Sequence, residues 1–233
     1  MSHFLGHALV PSPAETAWEL VQMCGQASFW RHISLTVFRG TAGLGLATVL
    51  ALITGIPCGL SRTAMDMLSP LVTALQGCPP IIWISLLLVW VGIGSVVPII
   101  VVLVAVFPIL FLNMAQGVAA LDPHLFQMAR IYHVSKWRIL KDLVVPGIAR
   151  YTLAAYSFAL GITWKVTATS EFFGADSGIG ARLYWAYRIL NMPRLFAWTA
   201  ILVIFGLLLE TSIIQPLRTA LKTEDTEAAD DHT

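Results

Sequence analysis

Residues 67–121 spell MLSPLVTALQGCPPIIWISLLLVWVGIGSVVPIIVVLVAVFPILFLNMAQGVAAL, a run of 55 residues without Asp, Glu, Lys or Arg. A membrane crossing needs about 20 predominantly apolar residues, so this run is too long for one crossing and long enough for two. It divides most naturally at residues 92–97, where Gly92, Gly94 and Ser95 precede Pro98. We therefore predict two crossings, at about 68–92 and 96–117, whose prolines favour kinked helices in contact with protein.

The composition of the whole chain points the same way. Of its 233 residues, 57% are hydrophobic and 12% are charged, whereas a soluble domain carries roughly 25% charged residues. The net charge of +1 provides no basic field for a nucleic-acid partner. Three cysteines, Cys24, Cys58 and Cys78, lack the spacing of a metal site. An integral membrane protein without a metal site or a nucleic-acid partner is expected.

Three further apolar segments complete an all-α polytopic bundle of about five spans. They lie at about 33–60, 148–170 and 195–217, and together they define a membrane domain over 33–217. Residues 1–32 form an amphipathic segment in which Ser12 and Glu15 supply a capping box for a short surface helix. Residues 218–233 are acidic, and we predict that they are disordered.

A charged loop over residues 122–147 interrupts the apolar pattern and must lie outside the hydrocarbon. Asp122 and Ser135 are suited to cap two short helices, each with an apolar stripe and basic neighbours. A protruding pair of short helices of this kind is suited to docking onto a protein partner. If the loop lies on the cytoplasmic side, eight Lys and Arg residues are cytoplasmic and five are extracytoplasmic. The positive-inside rule favours this orientation. It makes the loop and the tail cytoplasmic and residues 1–32 extracytoplasmic. The stripes comprise Leu125, Met128, Ala129 and Tyr132, then Trp137, Leu140 and Val144.

The sequence QMARIYHVSKW at 127–137, followed by LVVP at 143–146, resembles the EAA loop of binding-protein-dependent ABC importer permeases. Ala129, Trp137 and Pro146 agree with that pattern. Gln127 stands in place of the family's Glu, Met128 in place of its first Ala and His133 in place of its Gly, although His tolerates left-handed backbone better than most residues. The resemblance implies a coupling helix seated in a cleft of a cytoplasmic ATPase. The implied coupling residues are Gln127, Met128, Ala129, Arg130, His133, Ser135, Trp137 and Pro146.

Three other stretches resemble the sulfonate, taurine and nitrate branch of that family: PSPAE at 11–15, PPIIWI at 79–84 with GIG at 92–94, and Glu171 with GADSGIG at 174–180. Members of the branch usually begin with one more apolar span than this chain shows, so we expect either a five-span core or a recorded start downstream of the true one.

The resemblance implies a type I ABC importer permease, multi-pass in a bacterial inner membrane. It would pass a small oxyanion such as a sulfonate, taurine or nitrate by alternating access. Its expected partners are an ABC ATPase that binds ATP and Mg, an extracytoplasmic solute-binding protein, a second permease copy in a homodimer, and membrane lipid. The chain itself would bind no cofactor and catalyse no reaction.

Candidate residues for the solute path are Trp83, Trp164, Lys165 and Glu171. Lys165 has three open interpretations: snorkelling to the interface, contact with an anion, or pairing with Glu171. Glu171 can alternatively hold the outer loop through backbone hydrogen bonds, and Arg39 is predicted to anchor the first span at the interface. A cluster of three arginines and three aromatic residues suits either an aromatic belt at the membrane interface or a docking site for a binding protein. Its members are Arg182, Arg188, Arg194, Tyr184, Trp185 and Tyr187.

Two rival classes remain from the sequence. In an ATPase-independent channel or ion-coupled carrier, Lys165 and Glu210 would be gating or proton sites. An intramembrane enzyme is disfavoured, because no paired catalytic residues occur within the predicted spans, and no motif for ATP hydrolysis is present.

Overall fold

The structure, a computed structural model, describes residues 10–216. The predicted tail at 218–233 and the first nine residues lie outside this range. Residues 10–216 contain helices and no strand. The helices are α1 (Pro13–Cys24), α2 (Ala27–Leu60), α3 (Arg62–Gly77), α4 (Pro80–Val91), α5 (Val96–Ala119), α6 (Pro123–Ile131), α7 (Lys136–Arg138), α8 (Val145–Gly147), α9 (Ala149–Gly174), α10 (Ile179–Arg188) and α11 (Met192–Leu209), with π-helical turns at Ile139–Val144 and Glu210–Ile214.

Helix α5 is the centre of the bundle, packed between α2 and α9. Thirteen of its 24 residues are buried, including Pro108, so the predicted contact of a proline-containing helix with protein is confirmed for this span. Phe111 and Met114 of α5 pack with Leu44 of α2 and Ala159 of α9 in the largest apolar cluster. This three-helix core holds the functional elements at its two ends.

A stripe of small residues lets α2 lie against α5 at close range. Gly43, Ala47, Ala51, Gly55 and Gly59 recur every four residues and therefore share one face of the helix. A Cβ added at Gly43 would lie 2.7 Å from the Cβ of Val102, and one added at Gly59 would lie 2.5 Å from the Cβ of Val118. Small residues favour such close helix packing in membranes.

Residues 10–216 provide three to five candidate spans, and the predicted number of about five is reached if each bent helix pair is counted as one span. Three helical segments are individually long and apolar enough to cross a membrane: Ala27–Leu60, Val96–Ala119 and Met192–Ile214. Two others are bent pairs, Arg62–Gly77 with Pro80–Val91 at 93° and Lys136–Gly147 with Ala149–Gly174 at 57°. The kink expected from the prolines of 68–92 is present and sharp: Pro79 and Pro80 separate α3 from α4, and Cys78 is extended, as a residue preceding proline prefers.

Candidate functional site

The loop 122–147 has the local structure that its sequence predicts, and we call it the coupling loop after the role that its resemblance implies. A side-chain oxygen of Asp122 accepts a hydrogen bond from the backbone N–H of His124 at 2.8 Å, with Pro123 in the first helical position of α6. The hydroxyl of Ser135 accepts from the backbone N–H of Arg138 at 3.4 Å. Both predicted helix caps are confirmed.

The turn between the two helices of the coupling loop depends on a left-handed residue. His133 has φ 50°. The N–H of His133 donates to the carbonyl of Arg130 at 3.0 Å, and the N–H of Val134 donates to the carbonyl of Ala129 at 2.9 Å. These two bonds form a Schellman motif, which satisfies the last carbonyls of α6 and usually has glycine at the left-handed position. His133 therefore adopts the conformation for which glycine is best suited.

The coupling loop is anchored by one apolar face and exposes another. Phe126, Ile139 and Leu140 pack around the buried side chains of Val144 and Ile148. The first predicted stripe points mostly outward, with Leu125, Met128 and Tyr132 exposed. The second is divided, because Trp137 is exposed whereas Leu140 and Val144 pack inward. Exposed apolar side chains grouped in this way mark an interaction surface. Arg130, Lys136, Arg138 and Lys141 are exposed among them.

A second cluster, the charge centre, lies at the opposite end of α2 and α9. Arg39 and Glu171 are 1% and 0% exposed, and Nη1 of Arg39 lies 2.8 Å from Oε1 of Glu171. The guanidinium also donates to the hydroxyls of Ser95, in the α4–α5 loop, and Ser177, in the α9–α10 loop. The other carboxylate oxygen accepts from Thr36 at 2.8 Å. A buried charge pair needs such additional hydrogen bonds to offset its desolvation.

The charge centre fixes the loop between α9 and α10. The backbone N–H of Gly180 donates to Oε2 of Glu171 at 3.2 Å. Gly178 has φ 104°, and a Cβ there would collide with the Glu171 carboxylate. Only glycine accommodates both the close approach and this backbone conformation. The interpretation that Glu171 holds this loop through backbone hydrogen bonds therefore agrees with the geometry.

Two sequence interpretations of these charges are wrong. Arg39 does not anchor a span at the membrane interface, because its guanidinium is buried and ion-paired. Glu171 does not pair with Lys165: its carboxylate is occupied by Arg39, Thr36 and Gly180, and Lys165 is exposed on another face of α9. Interfacial anchoring was the expectation for an isolated arginine, and the partner of Arg39 is 132 residues away in the chain.

The other two candidates for the solute path are partly or wholly enclosed. Trp164 is buried, its ring 4.0 Å from that of Phe205, and its indole N–H donates to the carbonyl of Leu202 at 3.3 Å. Trp83 is half-buried, and its indole nitrogen has no hydrogen-bond partner among residues 10–216. The four candidates therefore do not form one cluster within a single protomer.

Residues 23–217 match the family of binding-protein-dependent transport system inner membrane components. The chain belongs to this family. It is similar to the taurine transport system permease protein of Escherichia coli (strain K12), with 24% identity over 88% of this chain and 76% of that protein. It is also similar to a putative aliphatic sulfonates transport permease protein of Bacillus subtilis (strain 168), with 23% identity over 88% and 74%.

A third relative is the bicarbonate transport system permease protein of Synechococcus elongatus, at 30% identity over 69% of this chain and 58% of that protein. The fold resembles the inward-facing MetNI methionine ABC transporter with a TM-score of 0.62 at 18% identity, over 89% of this chain and 98% of that one. The family member described here is therefore a multi-pass membrane protein with a type I permease fold. It is the permease component of an ABC importer and not an enzyme, and ATP hydrolysis belongs to a separate subunit of such systems.

Proposed function

We propose that this permease carries a small oxyanion, such as a sulfonate, taurine or nitrate, across a bacterial inner membrane by alternating access. The single observation that supports the coupling step is the exposed apolar surface of the coupling loop. An ATPase cleft that covered Met128, Ile131 and Trp137 would remove their apolar area from water, which favours binding. ATP and Mg are bound by that ATPase, and the solute-binding protein approaches the end of the bundle that carries the charge centre.

Movement of the coupling loop has a direct route to the rest of the bundle. The loop continues through the π-helical turn Ile139–Val144 and α8 into α9, which is 26 residues long and ends at Gly174 beside the charge centre. In this proposal a displacement of the loop changes the 57° bend before α9. The ion pair of Arg39 and Glu171 keeps the far end of α9 joined to α2 during this change.

One face of α9 is a suitable wall for the solute path. Four exposed residues of α9 are spaced seven, four and four positions apart and therefore share a face of the helix: Phe158, Lys165, Thr169 and Phe173. A second permease copy facing this surface would enclose Lys165, and its ammonium would attract an anion. Trp164 and Glu171 are buried behind that face, and in this proposal they position α9. The unpaired indole N–H of Trp83, on α4, is a further donor next to α9.

The substrate class is supported by the relatives. Taurine, aliphatic sulfonates and bicarbonate, named for three of them, all carry a negatively charged oxygen group. The cation on the open face of α9 is compatible with this chemistry.

Reconstitution of the permease with its ATPase and binding protein in proteoliposomes tests the proposal. Uptake of radiolabelled taurine should require ATP and should fall strongly in Lys165→Gln, while Lys165→Arg, which keeps the cation, should retain most uptake. Trp137→Ala should weaken co-purification of the ATPase, and Trp90→Ala should not, although the two side chains are similarly exposed at 71% and 69%. Uptake without the ATPase would instead establish a channel or an ion-coupled carrier.

A further inference from the structure

A cavity of about 270 Å³ lies near the charge centre, between α1, α2, α10 and α11. We call it the Arg182 cavity. Its polar walls include His32, Arg182 and Arg194, and its apolar walls include Phe29, Trp185 and Trp198. No carboxylate is among its lining residues in the described part of the chain. The cavity therefore combines two guanidinium groups with an aromatic surface.

The hydrogen bonds of His32 cannot all be made at once. His32 is 6% exposed. The backbone N–H of Gly178 lies 3.1 Å from its Nδ1, and the Nε–H of Arg182 lies 2.7 Å from its Nε2. A neutral imidazole has one acceptor nitrogen, and a protonated imidazole has none. In either protonation state at least one N–H group therefore faces another N–H group.

The backbone decides which of the two contacts is a true hydrogen bond. Gly178 is held in place by the charge centre, so its N–H remains directed at Nδ1. We therefore assign the hydrogen of His32 to Nε2, which points at Arg182. Arg182 and His32 thus present two N–H donors side by side at the cavity, and neither supplies an acceptor for the other. Arg182 is exposed, so its donors can reach water, whereas the Nε2–H of His32 is buried, and a buried donor without an acceptor is costly.

We propose that the Arg182 cavity binds a small organic anion, a sulfonate or a carboxylate, with an apolar body. One oxygen of the anion accepts from Nε2–H of His32 and another accepts from the guanidinium of Arg182, so that both donors are satisfied. Arg194 adds positive charge, since its own ion pair with Glu19 is long at 3.5 Å and partly exposed. Trp185 and Trp198 contact the apolar body, as aromatic residues do in pockets for small ligands.

This site differs from the proposed solute path. Lys165 is on the open face of α9, whereas the Arg182 cavity is formed by α1, α2, α10 and α11. Binding in the cavity concerns one protomer and requires neither ATP nor a second copy. A failure of ATP-driven uptake would therefore not contradict the cavity assignment. Likewise, absence of binding in the cavity would not contradict the proposed transport function.

Titration of the purified full-length chain in detergent with 1-butanesulfonate tests the assignment. Tryptophan fluorescence should change saturably, because Trp185 and Trp198 line the cavity, and Trp185→Phe should reduce the amplitude. Arg182→Gln should raise the dissociation constant at least tenfold. Arg188→Gln is the matched control, because Arg188 is on the same helix and does not line the cavity, and it should change the constant less than twofold.

Two other ligands and one further variant complete the test. 1-Butanol, without the anion, and inorganic sulfate, without the apolar body, should each bind at least tenfold more weakly than 1-butanesulfonate. If Arg182→Gln fails to fold, Trp185→Glu replaces it: this residue is half-exposed, and the new carboxylate should abolish binding without loss of thermal stability. Equal binding of 1-butanol or sulfate, or equal affinities of the Arg182→Gln and Arg188→Gln proteins, would overturn the proposal.

Discussion

Replacing Glu171 with glutamine should lower the free energy of unfolding by about 3–5 kcal/mol, because Arg39 would keep its charge in a buried site without a counter-ion. The structure sets this magnitude. Both side chains are almost fully buried and 2.8 Å apart. In a buried ion pair, loss of one partner is strongly destabilising because the other charge remains buried without compensation. The hydrogen bonds of Arg39 to Ser95 and Ser177 persist, so the predicted loss reflects the missing charge.

Thermal unfolding with a thiol-reactive dye measures this effect directly. Cys58 is buried, and it becomes reactive when the bundle opens, provided that Cys24 and Cys78 are replaced by serine in every variant. At about 2–4 °C per kcal/mol for a chain of this size, Glu171→Gln should lower the midpoint by roughly 6–20 °C. The matched control is Glu19→Gln, which removes a partly exposed pair at 3.5 Å worth at most about 1 kcal/mol.

A double variant separates the charge effect from a general packing defect. Arg39→Met with Glu171→Leu removes both charges, and replacement of a buried pair by apolar residues is often neutral or stabilising. Its midpoint should therefore recover most of the loss seen in Glu171→Gln. If Glu171→Gln unfolds within 3 °C of the Glu19→Gln control, the reasoning about the charge centre is wrong.

Three further changes probe the helix packing and the turns. Gly43→Ala should destabilise the bundle by about 1–3 kcal/mol through overpacking against α5, while Gly45→Ala, with nothing within 4 Å of the added Cβ, should be neutral or slightly stabilising in the same thermal assay. His133→Gly should preserve ATPase binding and His133→Val should weaken it, because a β-branched residue is strongly disfavoured at φ 50°. Gly178→Ala should lower the unfolding midpoint at least as much as Glu171→Gln, because its Cβ meets the buried carboxylate, and a smaller effect would contradict the described loop.

The sequence predicted local features well because short-range chemistry determines them. Ser12, Asp122 and Ser135 act as helix caps where the pattern places them, since a cap depends on residues two or three positions away. The resemblance at residues 127–146 likewise predicted the position of the turn at His133. These features required no knowledge of how the spans pack.

Contacts between distant spans were not predictable in the same way. Arg39 and Glu171 are far apart in sequence, and each alone suits an interfacial position. A signal was nevertheless present: both are charged residues near the same end of their predicted spans, and a charge within a span is costly unless it has a partner. Nothing in the sequence indicated that Ser95, Ser177 or His32 would lie at or beside the charge centre.

The sequence could not show whether the apolar stripes of the coupling loop face the bundle or the outside. Helical periodicity shows that Leu125, Met128 and Tyr132 share a face, but it does not show whether that face meets the bundle or a partner. Phe126, one position after Leu125, packs inward instead. The prolines of the second span predict a kink, but only the structure shows that the break lies at Cys78 and bends the span by 93°.

Cross-linking from the coupling loop to the ATPase tests the central claim most directly. In a cysteine-free background, Met128→Cys labelled with a photoreactive maleimide should form a covalent product with the ATPase, and the yield should change when ATP is added. Ile93→Cys, which is exposed in the loop between α4 and α5, should give no such product. Equal yields from the two positions, or none from Met128→Cys in a complex that still transports, would contradict the assignment of residues 122–147 as the ATPase-coupling element.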